Sequence, residues 1–287
     1  MIQLKDVTFY YSQSSEIYDG LTWNIGKPEM GNHIHFILSP SGYGKSTLFK
    51  LILKVINPQK GIVKIDDGAR ISYVPQEPVL FEHLSIYDNA TFFKYLLARK
   101  KEFNIELFNE YAKILGLDDT ILRSKKNVTQ LSGGQKRKLS LLKALSLNPN
   151  ILLLDEPTTG LDAQIKMGLL SQLKDLVHKY NILVLYITHH FEEAVLIGDK
   201  VHYLLKNPNG VIANISTQDI QDFKLNPPCL EAAYLVDFPD NRIQKGDYNG
   251  KNFSPNELSG RFHLRTIENN SQLFSPNGFP ISDDTRE

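Results

Sequence analysis

The sequence predicts an α/β fold in which parallel strands alternate with helices. Two continuous apolar runs, at 151–154 and 182–187, have the pattern of strands that are covered on both faces of a parallel sheet. A helical segment at 163–180 lies between them, which is the order expected of a strand–helix–strand unit. A third apolar run, at 33–38, leads through a loop rich in glycine and serine into a helical stretch at 47–53. This alternation predicts one α/β domain.

The predicted domain covers residues 1–216 and begins with an antiparallel edge. Residues 2–25 alternate loosely between apolar and polar side chains, which predicts two or three strands. The dipeptide Asp67-Gly68 separates the stretches 61–66 and 69–74, and it suits a tight turn because it tolerates a positive φ. We therefore expect these two stretches to form a hairpin.

A helical insert and a C-terminal appendage complete the predicted organisation. Residues 87–122 combine helical apolar spacing with mixed charge, and the insert is predicted to reach about residue 145. Residues 217–287 are rich in proline, asparagine and serine, which disfavours long helices. We expect a small C-terminal extension that is β-rich or partly disordered.

Composition excludes several classes of protein. The 287 residues include 32 basic and 32 acidic side chains, so no overall positive field favours nucleic acid. Cys229 is the only cysteine, which excludes an internal disulfide and a zinc knuckle. Apolar stretches such as 182–187 are far shorter than the roughly 18 to 20 residues that span a bilayer, and charge begins at Lys5. We expect a chain that neither crosses a membrane nor carries a signal peptide.

The loop Ser39–Thr47 has the composition and the position of a phosphate-binding loop. Gly42 and Gly44 let backbone N–H groups curl around phosphate oxygens, whereas Lys45 supplies positive charge and Ser46 can ligate Mg²⁺. The strict pattern requires glycine at position 39, where this chain has serine. The loop predicts a nucleotide site with one departure from the pattern.

A pair of carboxylates follows the apolar run 151–154 directly. Asp155 is predicted at the carboxyl end of a parallel strand, where ligands of open α/β sheets bind. Its carboxylate can hold Mg²⁺, usually through water, and Glu156 can polarise an attacking water. Acids at a strand end otherwise act as helix caps or solvent contacts, so the phosphate-binding loop is what favours the metal reading.

A second anion site is predicted at Leu131–Gln135, before a helix with a leucine-rich face. Ser132, Gly133 and Gly134 present backbone N–H groups at the helix N-terminus, where the helix dipole favours an anion. The alternative is an N-cap with a flexible approach. Four basic residues of this helix are interpreted as a solvated face and not as a nucleic-acid patch: Lys136, Arg137, Lys138 and Lys143.

In their order along the chain, these motifs resemble those of the ATP-binding subunit of an ABC transporter. Gln76 matches the Q-loop of that family, Gly160–Asp162 its D-loop and His189 its switch histidine. Tyr11 matches the aromatic residue that stacks on adenine. The resemblance extends over residues 7–189.

Two of these assignments have neighbouring alternatives. Tyr10 is an alternative to Tyr11, because adjacent residues of a strand face opposite ways. His190 is an alternative to His189, although the spacing after Thr188 favours His189.

The resemblance implies a role for each motif residue. The implied ATP-binding residues are Tyr11, Ser39, Pro40, Ser41, Gly42, Tyr43, Gly44, Lys45, Ser46 and Thr47. Catalysis is implied for Glu156, His189 and Gln76, and Mg²⁺ binding for Ser46, Gln76 and Asp155. The signature residues Leu131, Ser132, Gly133, Gly134 and Gln135 would contact ATP held by a partner subunit, and the D-loop comprises Gly160, Leu161 and Asp162.

The resemblance also implies partners. Two copies of the chain would sandwich ATP at the cytoplasmic face of the cell membrane, and their closing and opening would drive permease subunits. The stretch Gln76–Asn89 is where such subunits contact their permease, with Phe81 and Leu84 as candidate contacts and core packing as the alternative.

The subfamily is open between import and export. Segments 76–78 and 193–201 are similar to importers of nitrate, sulfonates, taurine or pyrimidines, which work with an extracytoplasmic binding protein. Segments 135–139 and 158–162 look more like other branches, including exporters. An ATP-gated dimer with weak turnover, and an ABC protein that acts on ribosomes or DNA, are further alternatives. The transported solute does not follow from the sequence, because the ATPase never touches it.

Overall fold

The computed structural model describes residues 2–12, 15–29, 32–40, 42–94, 103–207 and 209–225. In this part of the chain nine strands form one sheet, in the order β4-β1-β2-β9-β8-β3-β7-β6-β5. The strands are β1 (Ile2–Tyr10), β2 (Glu16–Ile25), β3 (Ile34–Leu38), β4 (Lys60–Ile65), β5 (Ile71–Val74), β6 (Ile151–Asp155), β7 (Leu183–Thr188), β8 (Lys200–Lys206) and β9 (Ile212–Asp219).

Helices cover the sheet. They are α1 (Lys45–Ile52), α2 (Ile86–Ala90), α3 (Ile105–Ile114), α4 (Asp119–Leu122), α5 (Gly133–Leu145), α6 (Ala163–Tyr180), α7 (Phe191–Ile197) and α8 (Ile220–Leu225), with a 3₁₀ turn at Val128–Gln130. In the described residues, no helix combines the length and the apolar character needed to span a bilayer.

The centre of the sheet is parallel, as the apolar runs predict. β3 pairs in parallel with β7 and β8, and β6 pairs in parallel with β7 and β5. Leu152 and Leu154 of β6 pack into the core beneath α5 and α6, whereas Ile151 and Leu153 pack into the core that contains Leu48 of α1. The run is apolar throughout because both faces of the strand are buried.

The predicted antiparallel edge is confirmed by two strands, since β1 pairs antiparallel with β2 over Ile2–Tyr10. At the other boundary of the domain, β9 pairs antiparallel with β8 and reaches Asp219, beyond the predicted end at residue 216. The predicted appendage lies mostly outside the described residues, which end at 225.

The predicted hairpin around Asp67-Gly68 is wrong. β4 pairs antiparallel with β1, and β5 pairs in parallel with β6, so the two strands lie at opposite ends of the sheet order. Asn150 explains the divergence: its side chain donates to the Gly68 carbonyl at 3.0 Å and accepts the Arg70 N–H at 2.8 Å. These bonds direct the chain onto the edge of β6, and the turn does not use the positive φ that a tight hairpin turn requires.

The helical insert agrees with its prediction in the described residues. α2, α3, α4 and α5 fall between Ile86 and Leu145. Their shared core includes Phe108 of α3 and Leu142 of α5, both of which are buried.

A buried pair of histidines lies between β3 and β8. His35 Nδ1 and His202 Nε2 are 2.8 Å apart, and the Trp23 Nε1–H donates to His202 Nδ1 at 3.3 Å. Because an indole nitrogen only donates, His202 carries its hydrogen on Nε2 and donates it to His35. Burial lowers the pKa of His35 to about 4 and that of His202 well below its usual value. Both rings are therefore neutral in the folded protein at neutral pH.

This pair makes stability depend on pH. An unfolded histidine takes up its proton near pH 6.5, whereas folded His35 resists protonation until about pH 4. The free energy of unfolding is therefore complete above pH 6.5 and falls as the pH drops from 6.5 to 4, by on the order of 3 kcal/mol. Urea unfolding at a series of pH values measures this slope. His35→Asn should reduce this slope, with the buried His202 supplying the remainder, and the exposed His83→Ala should leave it unchanged. An unchanged slope in His35→Asn would contradict the assignment.

Candidate active site

The loop between β3 and α1 is held open by its glycines. Gly44 has a φ of +72°, and a Cβ there would lie 2.6 Å from Ile17 Cγ2 and 3.0 Å from the Tyr18 hydroxyl. The Tyr18 hydroxyl donates to the Gly44 carbonyl at 2.6 Å, so β2 anchors the loop. Gly42 also has a positive φ, of +78°, and Ser41 lies outside the described residues. Positive φ angles at Gly42 and Gly44 are the backbone geometry with which N–H groups can be turned toward an anion.

Lys45 is the cation of the loop and is 8% exposed. Its Nζ donates to the carbonyls of Ser39 at 2.6 Å and Pro40 at 2.9 Å. Burial lowers the pKa of Lys45, and the nearby carboxylates of Glu156 and Asp155 act in the opposite direction. The loop carbonyls thus orient the ammonium group in a cleft whose walls also carry negative charge.

An open cleft joins the loop to the ends of the strands. It is lined by Ile17, Gly42, Gly44, Lys45, Ser46, Thr47, Gln76, Asp155 and Glu156. Eight of these nine residues were predicted as site residues from the sequence, and Ile17 was not.

Asp155 and Ser46 form a set of oxygen ligands in this cleft. The Ser46 hydroxyl donates to Asp155 Oδ2 at 3.2 Å, and the Tyr73 hydroxyl donates to the same oxygen at 3.3 Å. Burial raises the pKa of Asp155, while the hydrogen bonds from Ser46 and Tyr73 act to lower it. A hydroxyl beside a carboxylate is a hard-oxygen donor set, which fits Mg²⁺.

Glu156 is the centre of the second half of the cleft. Gln76 Nε2 donates to its Oε2 at 3.2 Å, and the Thr159 hydroxyl donates to the same oxygen at 3.0 Å. His189 Nδ1 lies 3.1 Å from the other oxygen, Oε1. The structure therefore brings together the three residues predicted to act in catalysis.

The backbone of Glu156 has an uncommon conformation, which β7 holds in place. Its φ is +44°, which is uncommon for a residue other than glycine and costs on the order of 1–3 kcal/mol. Its N–H donates to the Ile187 carbonyl at 2.9 Å, so β7 holds the turn. Of the two neighbouring histidines, His189 makes the contact with Glu156. The centroids of the His189 and His190 rings are 4.0 Å apart.

Tyr11 lies next to the start of α1. Its hydroxyl is 3.4 Å from Thr47 Oγ1, its ring packs edge-on to Phe9 with centroids 4.9 Å apart, and it is 55% exposed. The backbone of Tyr10 is instead bound to the Gln59 side chain. Tyr11 is thus exposed beside the phosphate-binding loop, with Lys50 Nζ over its ring at 5.8 Å from the centroid.

The signature segment begins α5 through a capping box. The Ser132 hydroxyl accepts the Gln135 N–H at 3.2 Å, and the Gln135 side chain accepts the Ser132 N–H at 3.0 Å. Gly134 packs against Ile165 of α6, where a Cβ would lie 2.7 Å from Ile165 Cγ2, whereas Gly133 is exposed. Among the residues described, none of the signature segment lines the cleft of the same chain.

The D-loop residues begin α6. Asp162 is the N-cap, and its Oδ1 accepts the Ile165 N–H at 2.9 Å. Gly160 has a φ of +79°, and Leu161 packs against the core.

The interpretation of α5 as carrying a solvated basic face is wrong for two of its residues. Arg137 donates to the carbonyls of Gln76 and Thr159, the latter at 3.1 Å. Lys143 is buried, and its Nζ donates to the Val79 carbonyl at 3.1 Å. Lys143 follows Leu139 at helical spacing, so the apolar stripe was a signal for its burial. Arg137 has no such signal, because its partners are backbone carbonyls from distant segments.

Sequence reasoning also missed Thr159 and Tyr73. Each makes its contact through a hydroxyl, to Glu156 and Asp155 respectively. Thr159 is three residues after Glu156 in the sequence. Tyr73 belongs to β5, which lies beside β6 in the sheet, whereas the predicted hairpin paired this stretch with residues 61–66.

Comparison with known proteins shows which family this segment of the chain is similar to. Residues 29–159 match the family model described as "ABC transporter". Together with the loop Ser39–Thr47 and the α/β sheet, which has the P-loop NTPase fold, this match makes the segment similar to the ATP-binding domains of ABC transporters.

Two curated relatives of this chain are import ATP-binding proteins. The chain is 31% identical over 227 residues to the molybdate/tungstate import ATP-binding protein WtpC of Pyrococcus horikoshii, covering 76% of this chain and 63% of the relative. It is 37% identical over 176 residues to the spermidine/putrescine import ATP-binding protein PotA of Fusobacterium nucleatum, covering 58% and 46%. The chain thus spans less than two thirds of the length of these relatives.

Solved structures agree on the fold. A putative metal-chelate type ABC transporter in an inward-facing conformation matches with a TM-score of 0.62 and 26% identity, covering 77% of this chain and 84% of that one. The cbiO1 component of the cbiONQ ABC transporter complex from Clostridium perfringens matches with a TM-score of 0.63 and 23% identity, covering 83% and 98%. The second likeness is one of fold alone.

Proposed function

We propose that this chain is the ATP-binding and ATP-hydrolysing subunit of an ABC transporter and powers a membrane permease. The observation that carries the proposal is the meeting of Lys45, Asp155 and Glu156 in one cleft. Phosphoryl transfer depends on positioning and on neutralisation of charge more than on covalent chemistry. This cleft offers a cation for the phosphates, oxygen ligands for a metal and a carboxylate for water.

ATP binding divides between the loop and Tyr11, which directly follows the first strand. The N–H groups at the start of α1 and the ammonium of Lys45 bind the phosphates. The exposed ring of Tyr11 stacks on adenine, which its place beside Thr47 supports. Ser46, Asp155 and Gln76 would hold Mg²⁺, which would neutralise charge on the phosphate oxygens.

Glu156 orients and deprotonates the attacking water. The proton passes to Glu156 while the water oxygen bonds to the γ-phosphorus and the bond to the β–γ bridging oxygen breaks, leaving ADP and phosphate. Gln76, Thr159 and His189 position the carboxylate for this step. His189 is 41% exposed on its side chain, which leaves the ring accessible to the γ-phosphate.

A second copy of the chain completes the site. Exposed Gly133 and the N-terminal N–H groups of α5 would close over the γ-phosphate bound by the partner copy. The position of the signature segment outside the cleft of its own chain supports this arrangement. ATP would therefore join two copies, and hydrolysis would release them.

The permease contact is proposed at Gln76–Asn89, at the cytoplasmic face of the membrane. Lys143 holds the Val79 carbonyl and lies 4.2 Å from the centroid of the partly buried Phe81 ring, while the Val79 side chain is 57% exposed. This segment thus has an anchored backbone and an outward apolar side chain. Phe81 and the partly buried Leu84 are the candidate contacts.

Import of a small solute is the proposed direction of transport. The molybdate/tungstate, spermidine/putrescine and sulfate/thiosulfate import proteins among the relatives support it. A solute of the nitrate, sulfonate or taurine type is the finer proposal, and it rests on the sequence resemblance alone. An importer of this kind works with an extracytoplasmic binding protein.

Affinity capture from gently solubilised native membranes, followed by mass spectrometry, tests the proposed partners. A multispanning protein together with a substrate-binding protein is the expected result. A multispanning protein alone would favour export, and ribosomal or DNA-bound material would overturn the transporter proposal.

Substitution of Ser39 distinguishes two proposals, an ATP-hydrolysing subunit and an ATP-gated dimer with weak turnover. Lys45 uses the carbonyl of Ser39 and not its hydroxyl, which is buried without a hydrogen-bond partner in the described part of the chain. Ser39→Gly should therefore keep the rate of ATP hydrolysis within about threefold of the original. A sharp rise in that rate would show that serine restrains turnover and would favour the gated dimer.

A further inference from the structure

We propose that His33, His178 and Asp199 form a binding site for a transition-metal ion such as Zn²⁺, separate from the nucleotide cleft. One ring nitrogen of each histidine and one carboxylate oxygen of Asp199 all lie within 4.8 Å of one another. His33 immediately precedes β3 and Asp199 immediately precedes β8, whereas the nucleotide loop follows the other end of β3. The cluster therefore lies at the amino ends of these parallel strands.

The protonation pattern of His33 leaves a lone pair for a metal. His33 is 6% exposed, and its Nε2 lies 2.9 Å from the side-chain oxygen Oδ1 of Asn181. An amide oxygen only accepts, so Nε2 carries the hydrogen and Nδ1 carries the lone pair. Nδ1 is buried and has no hydrogen-bond partner among the described residues. Histidines that bind metals commonly donate their other N–H to an oxygen in this way.

The other two ligands, Asp199 and His178, are also positioned next to His33. Asp199 Oδ2 accepts the N–H groups of His33 at 2.8 Å and Ile34 at 2.9 Å, so the carboxylate is fixed beside the buried ring and Oδ1 is not used by these bonds. His178 is exposed on the last turn of α6, and its ring centroid is 4.6 Å from that of His33.

The chemistry of the cluster favours zinc-like ions over Mg²⁺. Two imidazoles and one carboxylate suit Zn²⁺, Co²⁺, Ni²⁺ or Cu²⁺, whereas Mg²⁺ prefers oxygen ligands alone. Metal–nitrogen distances of about 2.0–2.1 Å require ligand atoms about 3.3 Å apart, so the site must contract on binding. The exposed ring of His178 is the ligand with room to move.

Titration of the full-length chain without nucleotide tests the site. Zn²⁺ binding is measured by calorimetry, and Co²⁺ binding by its visible absorption, in the original protein, in His178→Ala and in the matched surface control His83→Ala. We expect the original protein and the control to bind an ion at this site with equal affinity, and His178→Ala to bind that ion about tenfold or more weakly. Equal stoichiometry and affinity in all three proteins would overturn the proposal.

Asn181→Gly provides a second test that does not remove a ligand. Asn181 has a φ of +53°, which glycine adopts freely, so the backbone is preserved while the acceptor for the His33 N–H is lost. Metal affinity should fall by about 10- to 100-fold. A merely structural histidine stack would leave metal binding unchanged in this variant, which would contradict the proposal.

Discussion

Replacing Glu156 by glutamine is expected to lower the rate of ATP hydrolysis by about 10²–10⁴-fold while ATP binding persists. Glutamine keeps the size of the side chain and can still accept hydrogen bonds from Gln76 and Thr159 through its oxygen. It lacks the basicity needed to take a proton from water. Phosphate release and the binding of a fluorescent ATP analogue, measured on the same preparation with Mg²⁺, separate the two effects.

The control for this variant is Glu192→Gln. Glu192 is an exposed acid in the first turn of α7, so the same change of charge is made close to His189 but outside the cleft. Its hydrolysis rate should equal that of the original protein. If Glu156→Gln hydrolysed ATP at the full rate, the carboxylate would have no role in the mechanism. If both variants lost the same fraction of the hydrolysis rate, the cause would be the overall charge.

Replacing Glu193 by alanine is expected to lower the free energy of unfolding by about 3–5 kcal/mol. Glu193 is 1% exposed and accepts hydrogen bonds from the hydroxyls of Thr158 at 2.5 Å and Tyr186 at 2.8 Å. Lys166 Nζ lies 3.2 Å from the same carboxylate. Alanine would leave two buried hydroxyls without this acceptor and a cavity in place of the side chain.

The adjacent Glu192 again offers the matched control. Because Glu192 is exposed, Glu192→Ala should change the free energy of unfolding by less than about 0.5 kcal/mol. Urea unfolding of both variants measures the difference. A loss below about 1 kcal/mol in Glu193→Ala would show that the network contributes little net stability.

The Glu193 network also concerns catalysis. Thr158 lies two residues after Glu156, and Glu193 lies four residues after His189, so one buried carboxylate ties together the segments that carry both. Weakened hydrolysis in Glu193→Ala at a temperature where the protein remains folded is the expected consequence.

Most of the nucleotide cleft was predictable because its signals are local. The phosphate-binding loop follows β3, Asp155 ends β6 with Glu156 directly after it, and His189 follows β7. The carboxyl ends of parallel strands meet at one edge of the sheet. The position after a strand was therefore enough to place Lys45 and Glu156 together, whereas His189 was assigned to the site by the family resemblance. The partners of these residues, such as Arg137, came from contacts between distant segments and had no local signal.

The sequence by itself determined the α/β class, the parallel centre and the positions of α1 and α6. The reason is that the spacing of apolar residues along the chain reflects which side chains of each element are buried. Only the tertiary structure decided the pairing of β4 and β5. Asp67-Gly68 specifies that the chain turns, but hydrogen bonds from Asn150, about 80 residues away, decide which strand it joins. The cluster of His33, His178 and Asp199 was likewise decided by packing, because its members come from three elements far apart in sequence. Local patterns carry no information about such meetings, since the free energy that selects them is released only when the sheet assembles.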